Sequence, residues 1–118
     1  MTTTFQRTSD VNWPAPEPVA AERVVGGSPE TQSLSLLRSS GVDAGLWRVT
    51  PGAFTTVHDG YAEYVQIMEG QGDLVHDDGT VTPLSPGSVV LMEPGWRGRW
   101  VIRETLVKAY TTVPSSTA

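Results

Sequence analysis

The stretch that decides the fold of this chain is EYVQIMEG, residues 63–70. Apolar and polar residues alternate along it, and successive side chains of a β-strand point to opposite faces. Glu63, Val65 and Ile67 therefore share one face of a predicted strand. A second stretch, PGSVVLMEPGWRG at residues 86–98, encloses a short apolar run between two Pro-Gly pairs. Both stretches are typical of strands bounded by tight turns.

Similar segments continue on both sides, with turn residues between them at roughly the 8 to 12 residue spacing of a sandwich or barrel. We expect Gly70 and Gly72 to separate two strands, and a hairpin turn at residues 77–79, which read DDG. No segment has convincing helical periodicity over three turns. The sequence therefore predicts an all-β domain. Its strands are expected at residues 33–37, 44–50, 53–58, 63–68, 74–76, 80–84, 88–92, 99–103 and 106–113.

The length of 118 residues fits a single domain. We expect an extended N-terminal arm at residues 1–22, the folded domain at residues 23–113 and a flexible C-terminal tail at residues 114–118. The arm is rich in proline but contains Trp13. This side chain is expected to dock on its own barrel, on a sheet edge or on a neighbouring subunit, and the alternative is a disordered arm.

The charge balance limits the classes of partner. The chain has 13 acidic and 8 basic residues and a net charge of −5. Nucleic acids and anionic membranes bind through basic surface, so neither is an expected partner. The absence of cysteine excludes disulfides, thiolate metal ligands and cysteine nucleophiles. Because no secretion signal or long apolar run is found, we expect a cytoplasmic protein that binds a small-molecule ligand or another protein.

Strand parity predicts which side chains point into the domain. The arginines on both sides of Trp100 share the opposite phase of their strand, so they face solvent and Trp100 faces the interior. The same argument turns Trp47 inward, because Arg48 is out of phase with it. Lys108 is the only lysine of the protein and shares a face with Leu106. A lone lysine is therefore expected on an otherwise apolar face.

Several short motifs, in this order and spacing, resemble the small single-domain cupins of type 3, which are related to the cupin halves of (S)-ureidoglycine aminohydrolase. The resemblance extends over roughly residues 26 to 113 and implies a cupin double-stranded β-helix, an antiparallel jelly-roll barrel. It also implies a homodimer, because such proteins commonly exchange strands or arms. The motifs are GSPE (27–30), GLW (45–47), TPG (50–52), EYVQIMEG (63–70), PG (86–87), GWRGRW (95–100) and KAY (108–110).

The metal-binding histidines that this resemblance implies are mostly missing. Metal-binding cupins hold a divalent ion with three histidines and a glutamate, a ligand set suited to iron, manganese, nickel or zinc. Counted from Gly52, His58 and Glu63 remain but the second histidine position falls on Gly60, and counted back from Glu63 the first two positions fall on Val57 and Asp59. The third histidine position falls on Gly98. Two ligands rarely hold a divalent ion against water, so we expect no cofactor. The alternative is an irregular metal site of His58, Asp59 and Glu63.

Glu63 enters an apolar interior, where a carboxylate needs a cation, hydrogen-bond donors or its own proton. Lys108 is the expected partner. Our hypothesis is that this pair occupies the place a metal takes in other cupins, with Glu63 as general acid or base and Lys108 as electrostatic clamp or proton donor. The alternative is an internal salt bridge that only specifies the fold.

Inward aromatic residues and a few polar groups predict a ligand pocket. The alternative is that the aromatic rings only fill the barrel and that His58 is a mouth or loop residue. His76 is expected to be solvated at a hairpin tip. Three functions stay open: a metal-independent isomerase, lyase or hydrolase acting on a small polar metabolite, a non-catalytic metabolite-binding protein, and a metal-dependent enzyme. The candidate substrate-binding residues are Trp47, Phe54, His58, Trp96, Trp100 and Tyr110.

Overall fold

The computed structural model describes residues 2–115, which are mainly antiparallel strands. Two 3₁₀ turns, Thr8–Asp10 and Ala21–Arg23, occur near the start, and no α-helix is present in residues 2–115. No helix in this range has the length and apolarity needed to cross a membrane. The predicted all-β class is confirmed. The strands are β1 Glu17–Pro18, β2 Val24–Gly27, β3 Glu30–Ser39, β4 Val42–Val49, β5 Gly52–Val57, β6 Tyr61–His76, β7 Val81–Leu84, β8 Val89–Met92 and β9 Arg97–Pro114.

Strand β9 joins the parts of the sheet. It pairs with β6 over most of its length, while residues 106–112 also pair with β4 and residues 97–102 also pair with β5. The strand order is therefore β1-β3-β4-β9-β5-β2, and β6 connects β9 to β7 and β8. One edge of β9 pairs with β4 and then with β5, and the other edge pairs with β6. The strands therefore form one antiparallel sheet, which curls around one core.

Alternate residues of the strands form that core, as parity predicts. On β6 the side chains of Glu63, Val65 and Ile67 are buried, whereas the residues between them are exposed. Trp100 is 2% exposed and lies at the centre of the apolar cluster. The buried members of this cluster are Val19, Val49, Phe54, Val65, Ile67, Leu74, Leu84, Met92, Trp100, Ile102 and Leu106.

Two predicted strand breaks are wrong. β6 continues through Gly70 and Gly72, and β9 continues through residues 104–105. The register between β6 and β9 shifts three times between Ile67 and Gly72. Such shifts are characteristic of β-bulges, which bend a strand without ending it. The glycines that predict a turn therefore form a bend inside one long strand.

The N-terminal segment lies against the domain of its own chain. β1 pairs with β3, and Gln32 Nε2 donates a hydrogen bond of 2.8 Å to the carbonyl oxygen of Pro14. Val11 is buried, and Trp13 is half-buried beside Val107 of β9. This segment therefore covers part of the outer face of the sheet.

The predicted tail is described only in part. Pro114 is the last residue of β9, and the backbone N–H of Ser115 donates to the carbonyl oxygen of Gly60 at 2.9 Å. Residues 116–118 of the predicted flexible tail lie outside the described residues.

Candidate functional site

A buried ion pair lies at the centre of the candidate site. Lys108 Nζ, on β9, donates to Glu63 Oε2, on β6, at 2.7 Å, and each residue is 6% exposed. β6 and β9 bring the two together, because Lys108 is the register partner of Ile67 and Glu63 shares the inward face of Ile67. The pairing that strand parity and burial predict is confirmed.

Two indole rings enclose the ammonium group. Lys108 Nζ lies 4.3 Å from the ring centroid of Trp47 and 4.6 Å from that of Trp100. Indole faces attract cations, most strongly where water is excluded. Burial nevertheless lowers the pKa of Lys108, and the negative charge and hydrogen bond of Glu63 oppose that shift. The ammonium group is thus held by one carboxylate and two aromatic faces.

His58 lies behind the carboxylate, immediately after β5. Its side chain is 1% exposed, and its Nε2 is 3.5 Å from Glu63 Oε1. The ring stacks on Tyr61 with centroids 4.8 Å apart and contacts Trp96 at 5.2 Å. Its Nδ1 has no hydrogen-bond partner within residues 2–115. His58 follows a strand, which agrees with the alternative that it is a mouth or loop residue. Its ring, however, is buried in the barrel.

The protonation of His58 gives the protein a predicted pH dependence. Burial lowers the pKa of His58, with Glu63 opposing the shift and Lys108 adding to it. Below the ordinary histidine pKa the unfolded chain therefore binds a proton that the native state resists, so stability falls as the pH falls. We expect the free energy of unfolding to decrease between about pH 7 and about pH 5 by more in the native protein than in a His58→Gln variant. Urea titrations at both pH values test this, and equal decreases in the two proteins would contradict it.

A cavity of about 300 Å³ opens onto the ion pair. This volume is at the small end of the range for ligand pockets and has room for roughly ten water molecules. Larger depressions exist, including one of about 480 Å³ lined by Arg97 and Arg99, but Glu63 and Lys108 do not line it. We therefore place the candidate site at the smaller cavity. Its lining residues are Ser33, Ser35, Arg38, Asp43, Trp47, Glu63, Lys108, Tyr110 and Thr112.

The aromatic residues predicted to bind substrate divide into two groups. Trp47 and Tyr110 line the cavity. Phe54 and Trp100 do not line it, because both are 2% exposed and pack in the apolar core, where Trp47 covers them at centroid distances of 6.2 and 5.7 Å. For these two residues the prediction of a pocket-lining position is wrong, and the barrel-filling alternative describes them.

Trp96 and His76 are also placed differently from the prediction. Trp96 is absent from the cavity lining, and its Nε1–H donates to His76 Nδ1 at 2.9 Å. His76 Nε2 lies 2.7 Å from Thr82 Oγ1, so both ring nitrogens are engaged. His76 is half-buried, so the prediction of a solvated His76 holds only for part of the ring. His58, the remaining predicted ligand-binding residue, is outside the lining as well and contacts Glu63 from behind.

The sequence reasoning missed a second carboxylate in the cavity. Asp43 of β4 receives hydrogen bonds at Oδ1 from Ser35 Oγ at 2.6 Å and from Tyr110 Oη at 3.3 Å. Arg38 is nearby, with its Nε 3.9 Å from the same oxygen. A signal for Asp43 is present in the sequence, because it has the same strand parity as Trp47, which is predicted to face inward.

The residues present do not fit the metal ion that the cupin resemblance implies. Within residues 2–115, no three His, Cys, Asp or Glu side chains are grouped so that they could hold a metal. The alternative site of His58, Asp59 and Glu63 is therefore not formed, and Asp59 is exposed. A cation already contacts the remaining glutamate, because Lys108 Nζ donates to its Oε2. A divalent ion at Glu63 would have to displace that ammonium group.

The fold is an antiparallel jelly roll, and Glu63, Lys108 and His58 are buried inside its barrel. A jelly roll with such an interior site is the architecture of a cupin, and this is the class of the protein. The family described as EutQ-like cupin domains matches residues 36–110, and the chain belongs to this family. No curated protein matches the chain. The expected cupin double-stranded β-helix is thus confirmed, and the small cupin domain that the resemblance implies is shown.

Several solved structures are similar to the chain. A protein of unknown function from Pseudomonas syringae has 20% identity and a TM-score of 0.77 over 87% of this chain, and the match spans 45% of that protein. Ectoine synthase from P. lautus has 16% identity and a TM-score of 0.67, covering 84% of this chain and 74% of the synthase. The EutQ protein of Clostridium difficile has 16% identity and a TM-score of 0.64, covering 75% and 65%. At these identities the likeness shows the fold alone.

Proposed function

We propose that this cupin binds a small polar metabolite in the cavity of about 300 Å³ and transfers a proton there without a metal ion. Glu63 is the general acid or base, and Lys108 is the group that stabilises charge on the substrate. The observation that carries the proposal is that a carboxylate and an ammonium group, each 6% exposed, both line this cavity. Buried titratable groups that converge on a pocket are characteristic of acid–base sites.

In this proposal the two charged groups have different tasks. The hydrogen bond to Lys108 uses Glu63 Oε2, while Oε1 lies 3.5 Å from His58 Nε2. The proton is exchanged with the ligand by the Glu63 carboxylate, which lines the cavity. Lys108 has further N–H donors besides the one directed at Glu63, so it can donate to an oxygen that becomes negative during the reaction. Isomerisation, elimination and hydrolysis can all use this combination.

The similar structures share the fold of this cupin and do not define a substrate. The resemblance to the cupin halves of (S)-ureidoglycine aminohydrolase directs the search for substrates to nitrogen metabolism. The unmatched metal ligands argue against the same metal-dependent reaction here.

Glu63→Gln separates catalysis from binding. Glutamine keeps an oxygen that accepts the hydrogen bond from Lys108 but cannot exchange a proton. We expect turnover of a substrate found by screening to fall by about 10²–10⁴, with the dissociation constant nearly unchanged. Glu69→Gln is the matched control, because Glu69 is an exposed carboxylate on the same strand. Calorimetric binding and product assays measure the two quantities.

Two results would contradict the enzyme proposal. Full turnover by Glu63→Gln would remove Glu63 from the chemistry. A ligand that binds the native protein in this cavity but is never converted would favour the second candidate, a non-catalytic metabolite-binding cupin. The small volume of the cavity and the ion pair between Lys108 and Glu63 are compatible with that candidate as well.

A further inference from the structure

The cavity contains a second carboxylate that the proton-transfer proposal does not use. Asp43 lies on β4, and its side chain is 30% exposed where the cavity opens. Its Oδ1 accepts hydrogen bonds from the hydroxyl groups of Ser35 and Tyr110. Its Oδ2 has no hydrogen-bond partner within residues 2–115. Two donors therefore fix the orientation of this carboxylate and leave one oxygen open to a ligand.

The two hydroxyl donors orient the carboxylate of Asp43. The phenol of Tyr110 stays protonated, because burial and the neighbouring Asp43 raise its pKa. Arg38 does not saturate Asp43, since its Nε is 3.9 Å from Oδ1 and its side chain is 77% exposed. At that distance an exposed pair contributes little. Arg38 therefore neutralises little of the charge that the Asp43 carboxylate presents to a ligand in the cavity.

The other charges of the cavity favour a cationic ligand over an anionic one. Lys108 is engaged by Glu63 at 2.7 Å, so an anion would have to compete with a buried carboxylate for it. Trp47 and Tyr110 supply aromatic surface to the same cavity, and such surface attracts cations. The net charge of −5 acts in the same direction at longer range. Arg38, the other cation that lines the cavity, lies at the exposed rim, where its Nε donates a hydrogen bond of 3.2 Å to Ser35 Oγ.

Asp43 and Glu63 lie in one row of the sheet. Both are register partners of Thr112, Asp43 across the β4–β9 pair and Glu63 across the β6–β9 pair. Their Cα atoms are therefore two strand spacings apart, roughly 10 Å. Side chains that reach toward each other from such positions leave room for only a short molecule between them. A small ligand held at Asp43 thus extends to Glu63.

We propose that Asp43 binds the protonated amino group of the substrate, so that the cavity selects small aliphatic amines and presents the next few atoms to Glu63. This inference rests on the proposed function, in that it assumes that the cavity is the ligand site. It adds the substrate class and a binding residue. Asp43 is a binding residue here, and the proton-transfer role stays with Glu63.

Three probes of equal length and different charge test the proposal. Propylammonium, propanol and propionate are titrated against the native protein, and the indole N–H signal of Trp47 is followed by NMR. We expect propylammonium to perturb this signal at the lowest concentration. Asp43→Asn should weaken its binding by at least about ten-fold, as expected for the loss of one charge-assisted hydrogen bond. Asp77→Asn is the matched control, because Asp77 is an exposed aspartate at the hairpin turn.

The outcomes separate this proposal from the proposed function. Stronger binding of propionate or propanol, or unchanged propylammonium binding by Asp43→Asn, would overturn the amine assignment while leaving the cavity as the ligand site. If none of the probes perturbs Trp47 up to its solubility limit, the cavity is not a ligand site and both proposals fail. Tyr110→Phe gives a second measurement that keeps the carboxylate. It should weaken propylammonium binding by less than Asp43→Asn does, because Ser35 still donates to Oδ1.

Discussion

Lys108→Met is expected to lower the free energy of unfolding by about 3–5 kcal/mol, because it leaves the charge of Glu63 buried without a partner. Methionine fills a volume similar to the lysine stem between Trp47 and Trp100, so the cost is expected from the uncompensated carboxylate and not from a cavity. Urea unfolding followed by tryptophan fluorescence measures the change. Arg99→Met is the control, because it removes a positive charge from an exposed position.

The double variant Glu63→Gln/Lys108→Met isolates the interaction. Removing both charges also removes the desolvation penalty, so the double variant is expected to regain most of the stability lost by Lys108→Met. The two substitutions are therefore expected to be strongly non-additive. If the losses of the two single variants simply add, Glu63 and Lys108 do not stabilise each other in the native state.

The same variants address whether the pair serves the fold or the function. A buried ion pair is weak evidence for stability, because a well-packed neutral replacement is often equally stable. A double variant that is as stable as the native protein but inactive would show that the two charges are needed for chemistry. A double variant that loses the unique fold would instead support a salt bridge that specifies the barrel.

Strand parity predicts much of the interior from the sequence. The period of two along a strand is a local property, so it places Glu63, Trp47, Trp100 and Lys108 inside without knowledge of any contact. The need of a buried carboxylate for a cation then selects Lys108, the only lysine of the protein. The structure confirms that pairing at 2.7 Å.

Parity does not distinguish an inward ring that lines a cavity from one that fills the core. Phe54 and Trp100 point inward but are covered by Trp47, and that covering depends on contacts between β4, β5 and β9. The hydrogen bond between Trp96 and His76 joins residues twenty positions apart and is equally invisible to local patterns. Asp43 is a different case, because its inward parity can be read from the sequence, whereas its hydrogen-bond donors come from β3 and β9.

The unexpected continuity of β6 has a physical cause that a single substitution tests. Gly70 has a φ of +94°, a conformation that side chains rarely adopt and that is common in turns. In the structure the strand bends there and continues, because β9 approaches so closely that a Cβ atom on Gly70 would lie 2.6 Å from Leu106 Cα and would also meet Thr105 O. Both neighbours are backbone atoms of β9, and Leu106 is paired with Val49 of β4, so they cannot move away easily.

Gly70→Ala is therefore expected to destabilise the protein by about 2–4 kcal/mol, the sum of the strained backbone conformation and the steric overlap. Gly79→Ala is the matched control, because Gly79 has a φ of +88° but no atom within 4 Å of the position that an alanine methyl group would occupy. The control carries the conformational cost alone, about 1 kcal/mol. Urea unfolding of both variants measures the difference. Equal losses would mean that the backbone conformation of the glycine accounts for the whole effect. In that case β9 moves away from the methyl group at little cost, and its contact with β6 at Gly70 is not rigid.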